Sequence, residues 1–271
     1  MPVIEWNGRH MELPSTLCSN VYDFAFCPEP CYDRLVDLAD PEDWGPSNRI
    51  LKNYLSFSFS RAVFLTERDV DQTAPSNLPL VFDDDRCLFN TGLYTRRYEI
   101  YGLFEPNTKP DARQRWFLKG FFKESDPMLV SFEYLPCRVR FAEDPSELVF
   151  DYRLPIRSNI DHILGDEENL TRIPASLMGE GNSLLLRRAF EGAVVEAARR
   201  AAANYTLAVP QFYGGRIQLL LPLCLTGDKP ELALTIQRED GFYAARTCRT
   251  LDMAYNNARL ICRPETSWIK R

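Results

Sequence analysis

Histidine is almost missing from this chain: His10 and His162 are the only two in 271 residues. That scarcity argues against a zinc centre. The eight cysteines do not supply one instead, because Cys27 and Cys31 frame a CPEPC segment with no second pair at metal-ligand spacing. No apolar run is long enough to span a bilayer. The opening MPVIEWNGRHMELP has neither the basic nor the apolar region of a signal peptide, so a cytoplasmic protein with reduced thiols is expected, with no membrane partner. Basic charge is also in short supply. Lys and Arg number 32 against 38 Asp and Glu, for a net charge of -6. Such a balance excludes a broad field gripping double-stranded DNA, but it leaves room for a local arginine-rich groove holding a phosphate or a chain end. A GxSxG elbow, a zinc-deaminase pattern and a glycine-spaced phosphate loop are all absent.

What is present is a core-forming chain, with 45% hydrophobic and 12% aromatic residues. Its organising stretch is Asn204 to Pro264. RIQLLLPLCL, Arg216 to Leu225, reads as a strand covered on both faces, with Cys224 in the core and Pro222 demanding a bulge or an edge. ELALTIQR alternates Leu232, Leu234 and Ile236 against Ala233, Thr235 and Gln237, and Asp240-Gly241 turns it into a return strand from Phe242 to Cys248. A long helix, 183–204, feeds this meander. Ala193 and Ala197 on it are expected to share a core with Leu219, Leu221, Leu223, Leu234 and Ile236. A C-terminal helix, 251–261, follows with Thr250 as N-cap and Asp252 in its first turn. On that helix Leu251, Ala254, Ala258 and Ile261 share one face, and Asp252, Asn256 and Arg259 the other. The polar stripe is either a solvated face or the lining of a site.

Upstream, residues 1 to 30 read as an extended arm, Cys31 to Ala39 as a short helix, and Asn48 to about Ser56 as a helix capped by Ser47, with Ala62 to Thr66 either its continuation or a strand. From Leu80 the pattern turns to antiparallel strands in LVF, CLFNTGL, YEIYGLF and RWFLKGFF, with one more expected at Cys137 to Phe141. FNTGL itself reads as a turn, or as a turn that presents Asn90 and Thr91 to a ligand. The fold class is α+β with mostly antiparallel sheet. An N-terminal part, 1–79, is expected to pack on a main domain, 80–271, as one domain; two subdomains meeting near residue 151 are the alternative.

VPQFY, LLPLCL, TLDMAYNNARL, FNTGL and NIDHIL resemble blocks of a bacterial family known as domain of unknown function thirty-eight twenty-five, over roughly Phe82 to Trp268. Relatives in that family are sometimes joined to RNA-binding modules of the cold-shock and OST-HTH kinds. The resemblance therefore implies a connection to RNA, although no such module is legible in these residues.

The candidate chemistry centres on His162, in the polar stretch LPIRSNIDHILGDEENLTR. Imidazole exchanges protons near neutral pH, so His162 is a candidate general acid/base, with a structural histidine as the plain alternative. Arg153, Arg157 and Arg172 flank it, and a guanidinium fork fits phosphate oxygens; Arg157 is the candidate partner in catalysis. Candidate ligand-binding residues are Asn90, Thr91, Asn159, Gln211, Tyr213, Asp252, Asn256 and Arg259, with Gln211 and Tyr213 suited to reading and stacking a base. The carboxylates of VFDDD, Val81 to Asp85, could hold Mg²⁺ with a substrate phosphate or merely form an acidic turn. No metal-ligand set is assigned. The expectation is a protein that binds a nucleotide or RNA end, leaning toward a phosphoester or pyrophosphate hydrolase in RNA processing. The rivals are a non-catalytic binding module and an interaction component of a defence or stress system. His162 is expected within about 10 Å of at least two of Asn90, Gln211, Tyr213 and Arg259.

Overall fold

The computed structural model describes residues 3–6, 9–12, 20–83, 85–179 and 182–269, with side chains from residue 20 onward. Short strands β1 (Val3–Trp6) and β2 (Arg9–Glu12) pair antiparallel. The contacts divide the chain into two compact units, 1–140 and 141–271.

In the first unit, α1 (Val21–Phe24), β3 (Ala25–Phe26) and α2 (Glu29–Leu38) lead through a left-handed corner into α3 (Arg49–Asp69). Ser47 does not cap α3. Ser47 and Asn48 both take positive φ, 53° and 56°, and no side chain caps the helix. The helix also runs well past Ser56, because Tyr54, Leu55, Phe59, Ala62, Val63 and Thr66 keep a buried stripe at helical spacing. Ala62 to Thr66 is its continuation. The strands β4 (Leu80–Asp83), β5 (Arg86–Tyr94), β6 (Glu99–Pro106) and β7 (Trp116–Lys123) form with β3 a sheet of order β3-β7-β6-β5-β4, antiparallel except for β3 beside β7. Helix α3 packs on β4 and β5, and α2 on β7. Phe24 sits at the centre of an aromatic core, 5.0 Å from Phe59, 5.3 Å from Phe104 and 5.4 Å from Trp116 between ring centres. On a separate cluster Leu129 and Phe132 cover Val81, Leu88, Tyr101 and Leu103.

FNTGL is not a free turn. It lies inside β5, where the pairing with β6 is interrupted between Asn90 and Tyr94 and Gly92 has φ +72°. The turn-like residues therefore make a bulge. Cys137 to Phe141 forms no strand.

In the second unit, β8 (Ile156–Ser158) leads into α4 (Ile160–Gly165), α5 (Glu167–Leu170) and the long α6 (Ser183–Ala203). The meander then follows as β9 (Val209–Tyr213), β10 (Arg216–Leu223), β11 (Leu232–Glu239) and β12 (Phe242–Thr250), closed by α7 (Leu251–Arg259). The sheet order is β8-β12-β11-β10-β9, with β8 parallel to β12 and the rest antiparallel. Gly214 and Gly215, at φ +58° and +79°, make the two-residue hairpin that pairs Tyr213 with Arg216. Pro222 is accommodated as an edge residue, because β9 pairs with β10 only as far as Leu220 and the ladder to β11 continues past it. Helix α6 packs on β10. Leu219, Leu221, Leu223, Leu234, Ile236, Ala193 and Ala197 are all buried. Cys224 lies beyond the end of β10, only partly buried, and accepts a bond from Arg200 at 3.4 Å. Helix α7 lies against β9, β11 and β12, and the Trp268 indole donates to the Leu207 carbonyl at 2.8 Å.

The contact boundary between the two units falls at 140/141. The strands from Leu80 to Lys123 need α2 and α3 to cover one face, so they fold with the N-terminal helices and form a sheet separate from the C-terminal meander.

Candidate functional site

Asn90 and Thr91 belong to the first unit and are wholly buried. The Asn90 amide donates to Glu99 at 2.8 Å and to the Pro136 carbonyl at 3.0 Å, while its oxygen accepts from the Gly92 N–H at 2.9 Å. The Thr91 hydroxyl donates to the Ile100 carbonyl at 2.6 Å. These bonds stitch the bulge together and use both side chains internally.

The other candidates lie in the second unit. Asn159 is the N-cap of α4, accepting from the His162 N–H at 3.2 Å. His162 itself is exposed, and its imidazole carries no hydrogen bond or ion pair among the described residues. Arg157, exposed on β8, sets its guanidinium 4.3 Å from the centre of the Phe242 ring. Arg153 is committed to Asp151, with two bonds of 2.8 Å. No bond or ion pair among the described residues joins Arg157 or His162 to the residues around Gln211.

Helix α7 does not present the expected stripe. Asp252 is exposed and Asn256 half-buried, but Arg259 is 4% exposed and lies with Ala254, Tyr255 and Ala258 on the covered face. Spacing put Arg259 opposite the apolar residues. The helix rolls so that Tyr255 and Arg259, one turn apart, face inward and Leu251 is only half-buried. Asn257, rather than Asn256, reaches the sheet: its amide donates to Gln211 Oε1 at 3.1 Å.

Gln211 begins a row of amides across the sheet. It donates to Gln218 at 2.9 Å, Gln218 to Gln237 at 3.1 Å, and Gln237 to the Glu239 carboxylate at 2.9 Å. Glu239 also accepts from Arg246. Cross-strand partners share a face, so Gln211, Gln218 and Gln237 define one side of the sheet. By the same pairing Thr235, Thr247 and Arg249 lie on it too.

Arg249 is the most unusual group on that side. Its Cζ sits 5.7 Å from the centre of the Tyr213 ring, and Tyr213 is 61% exposed. Its Nε is out of contact with solvent and has no hydrogen-bond partner, and the buried Thr235 hydroxyl is likewise unpartnered. Among the described residues no carboxylate forms an ion pair with Arg249. Burial, and then the neighbouring Arg172 guanidinium, pull the Arg249 guanidinium below its ordinary value. Arg172 is fixed in place. It donates to the Cys248 carbonyl at 2.5 Å and to Asn169 at 3.1 Å, and it pairs with Glu168. Two guanidiniums thus stand together; the Glu168 carboxylate pairs directly with Arg172 and reaches Arg249 only through its field.

Sequence reasoning named Gln211, Tyr213 and Arg172 but missed Arg249, Asn257, Gln218 and Gln237. One signal was available. The Gly-Gly hairpin fixes Tyr213 opposite Arg216, and counting back two residues on each strand puts Gln211 opposite Gln218, a lone amide in an otherwise apolar run.

A separate cavity of about 710 Å³ lies among α4, α5 and the start of α6, walled by Leu164, Leu170, Leu177, Met178 and Leu184, with the Asp161–Arg187 ion pair beside it. None of the candidate residues lines it. Among the described residues no group of three or more His, Cys, Asp and Glu is placed to hold a metal ion. Asp83 of VFDDD pairs with Arg86, and Asp84 lies outside the described residues. No described helix is long and apolar enough to cross a membrane.

The sequence profile of one family, a domain of unknown function (DUF3825), matches residues 35–268. The chain belongs to that family. The DUF3825 match runs through both compact units and is not confined to either one. No curated protein and no solved structure matches this DUF3825 chain.

Proposed function

We propose that this chain binds a phosphate-bearing nucleotide or RNA end at the Arg249–Tyr213 face of its second unit. The observation that carries the reading is Arg249, a half-buried cation with an unpartnered Nε beside a second guanidinium. A desolvated charge of this kind is costly until an anion meets it, and a guanidinium fork suits phosphate oxygens. Tyr213 offers an exposed ring on which a base can stack, and the net acidic chain favours a compact ligand over a long duplex. The thiols found free among the described cysteines accord with a reducing, cytoplasmic setting.

The test is calorimetric titration with adenosine monophosphate, inorganic phosphate and short 5′- or 3′-phosphorylated RNAs. Arg249→Met should weaken every phosphate ligand by about tenfold or more, since a hydrogen bond to a charged group is worth roughly 1.5–3 kcal/mol. Tyr213→Ala should weaken the nucleotide and spare inorganic phosphate. Affinity indifferent to Arg249→Met would overturn the reading. The catalytic extension is a phosphoester or pyrophosphate hydrolase in RNA processing, with His162 as acid/base and Arg157 on the phosphate. It is supported by an exposed imidazole with no partner among the described residues. His162→Ala should then abolish turnover and leave the melting temperature in place. If wild type binds without turning over, the chain is a binding module.

A further inference from the structure

The amide row has a direction, and the direction follows from its far end. Glu239 is a carboxylate, which when ionised only accepts, so Gln237 must offer it the amide nitrogen. Gln237 is then left with its oxygen toward Gln218, and Gln218 with its oxygen toward Gln211. The same step repeats at Gln211, whose oxygen faces α7 and takes the Asn257 amide. Each bond fixes the next, and a chain of bonds polarised in one sense reinforces itself. At the near end Asn257 has spent a nitrogen on Gln211. Its carbonyl oxygen is left without a partner among the described residues, on a half-buried side chain. Gln211 stands two residues from Tyr213 on β9, so the two side chains project to the same side of the strand.

We infer that Glu239 sets the polarity of the row and that Asn257 consequently offers a carbonyl acceptor beside the Tyr213–Arg249 pair, selecting nucleotides whose base brings an amino-group donor. The inference rests on the phosphate-binding reading above and adds base selectivity to it. Glu239 acts here as a positioning residue across three strands, with no contact to the ligand.

Two ligands isolate the effect. Adenosine monophosphate and purine ribonucleoside monophosphate share ring, sugar and phosphate, but the second lacks the exocyclic amino group and any ring N–H. Wild type should bind the first about five- to tenfold more tightly, the worth of one hydrogen bond. Asn257→Ala should bring the ratio to near one. Glu239→Gln should do the same, because an amide at position 239 no longer dictates which end Gln237 presents. Glu239→Asp should recover part of the ratio. A purely structural Glu239 would move both affinities together and leave their ratio alone. If wild type binds adenosine monophosphate through Arg249 yet the two ligands bind equally, or the ratio survives Glu239→Gln and Asn257→Ala, this inference fails and the phosphate reading stands. If wild type binds neither ligand, the phosphate reading fails and takes the selectivity with it.

Discussion

Taking a guanidinium or carboxylate out of water is tolerable only where bonds replace the lost hydration, and the two units handle this differently. In the second, Arg249 keeps an unpartnered Nε. In the first, Glu99 is fully engaged. Burial acts against its ionised form, but bonds from Asn90 and Arg138, with a further one from Tyr101, hold its carboxyl below the ordinary carboxylate value. A depressed folded value gives a stability contribution that is present above the unfolded value, near about 4.3, and lost as pH falls through the folded one. Wild type should therefore lose stability on acidification below about pH 4, and Glu99→Gln should flatten that part of the curve. Urea midpoints collected from neutral to acid pH decide it; parallel curves for the two proteins would refute the linkage. Asn90 was singled out from sequence because Asn and Gly tolerate left-handed backbone. The backbone does turn there, at Gly92, but inside a sheet, where the asparagine serves the bulge and Glu99. Polarity in a sequence marks a group that needs partners and leaves open whether they are internal.

At the scale of elements, the β5 bulge makes a sharp demand on one residue. Gly92 has φ +72°, and a methyl added there would run into the Tyr54 hydroxyl, which itself donates to the Thr91 carbonyl at 2.8 Å. Gly92→Ala should cost at least about 1–2 kcal/mol from backbone handedness alone. Tyr54→Phe, which removes the clashing oxygen, should make the double variant less destabilised than the two single losses combined. Additive losses in denaturant melts would show that the hydroxyl is not what the methyl meets. In the other sheet, Leu221 is wholly buried in β10, and Leu221→Ala should cost about 2–5 kcal/mol. That strand, its hairpins and α6 were legible because a continuous apolar run, glycine turns and a small-residue stripe all agree. The roll of α7 was not, since an amphipathic pattern with half-buried polar residues on both flanks fixes a helix but not its angle to within one residue's arc. Arg259 lay inside that uncertainty, and so did the choice between Asn256 and Asn257.

At the scale of the whole molecule, the boundary at 140/141 carries no change of composition: no glycine- or serine-rich linker marks it, so periodicity alone could not find it. Each unit has its own sheet and its own fully buried residues, such as Phe59 and Phe89 in the first and Leu221 and Leu234 in the second. A fragment beginning at Phe141 should thus retain strand signal in circular dichroism and melt cooperatively, whereas one beginning at Leu80 should lose the covering of β4 and β5 by α3 and aggregate. An unfolded fragment from Phe141 would show that the second core does not stand alone. The chain's four tryptophans are also unevenly shared: Trp6, Trp44 and Trp116 precede the boundary, and Trp268 is the single one after it. Because the Trp268 indole is buried and bonded to the Leu207 carbonyl, it is a built-in fluorophore for the second unit. The difference in emission between wild type and Trp268→Phe follows that unit's unfolding and ligand response alone, in the intact chain and without an attached dye.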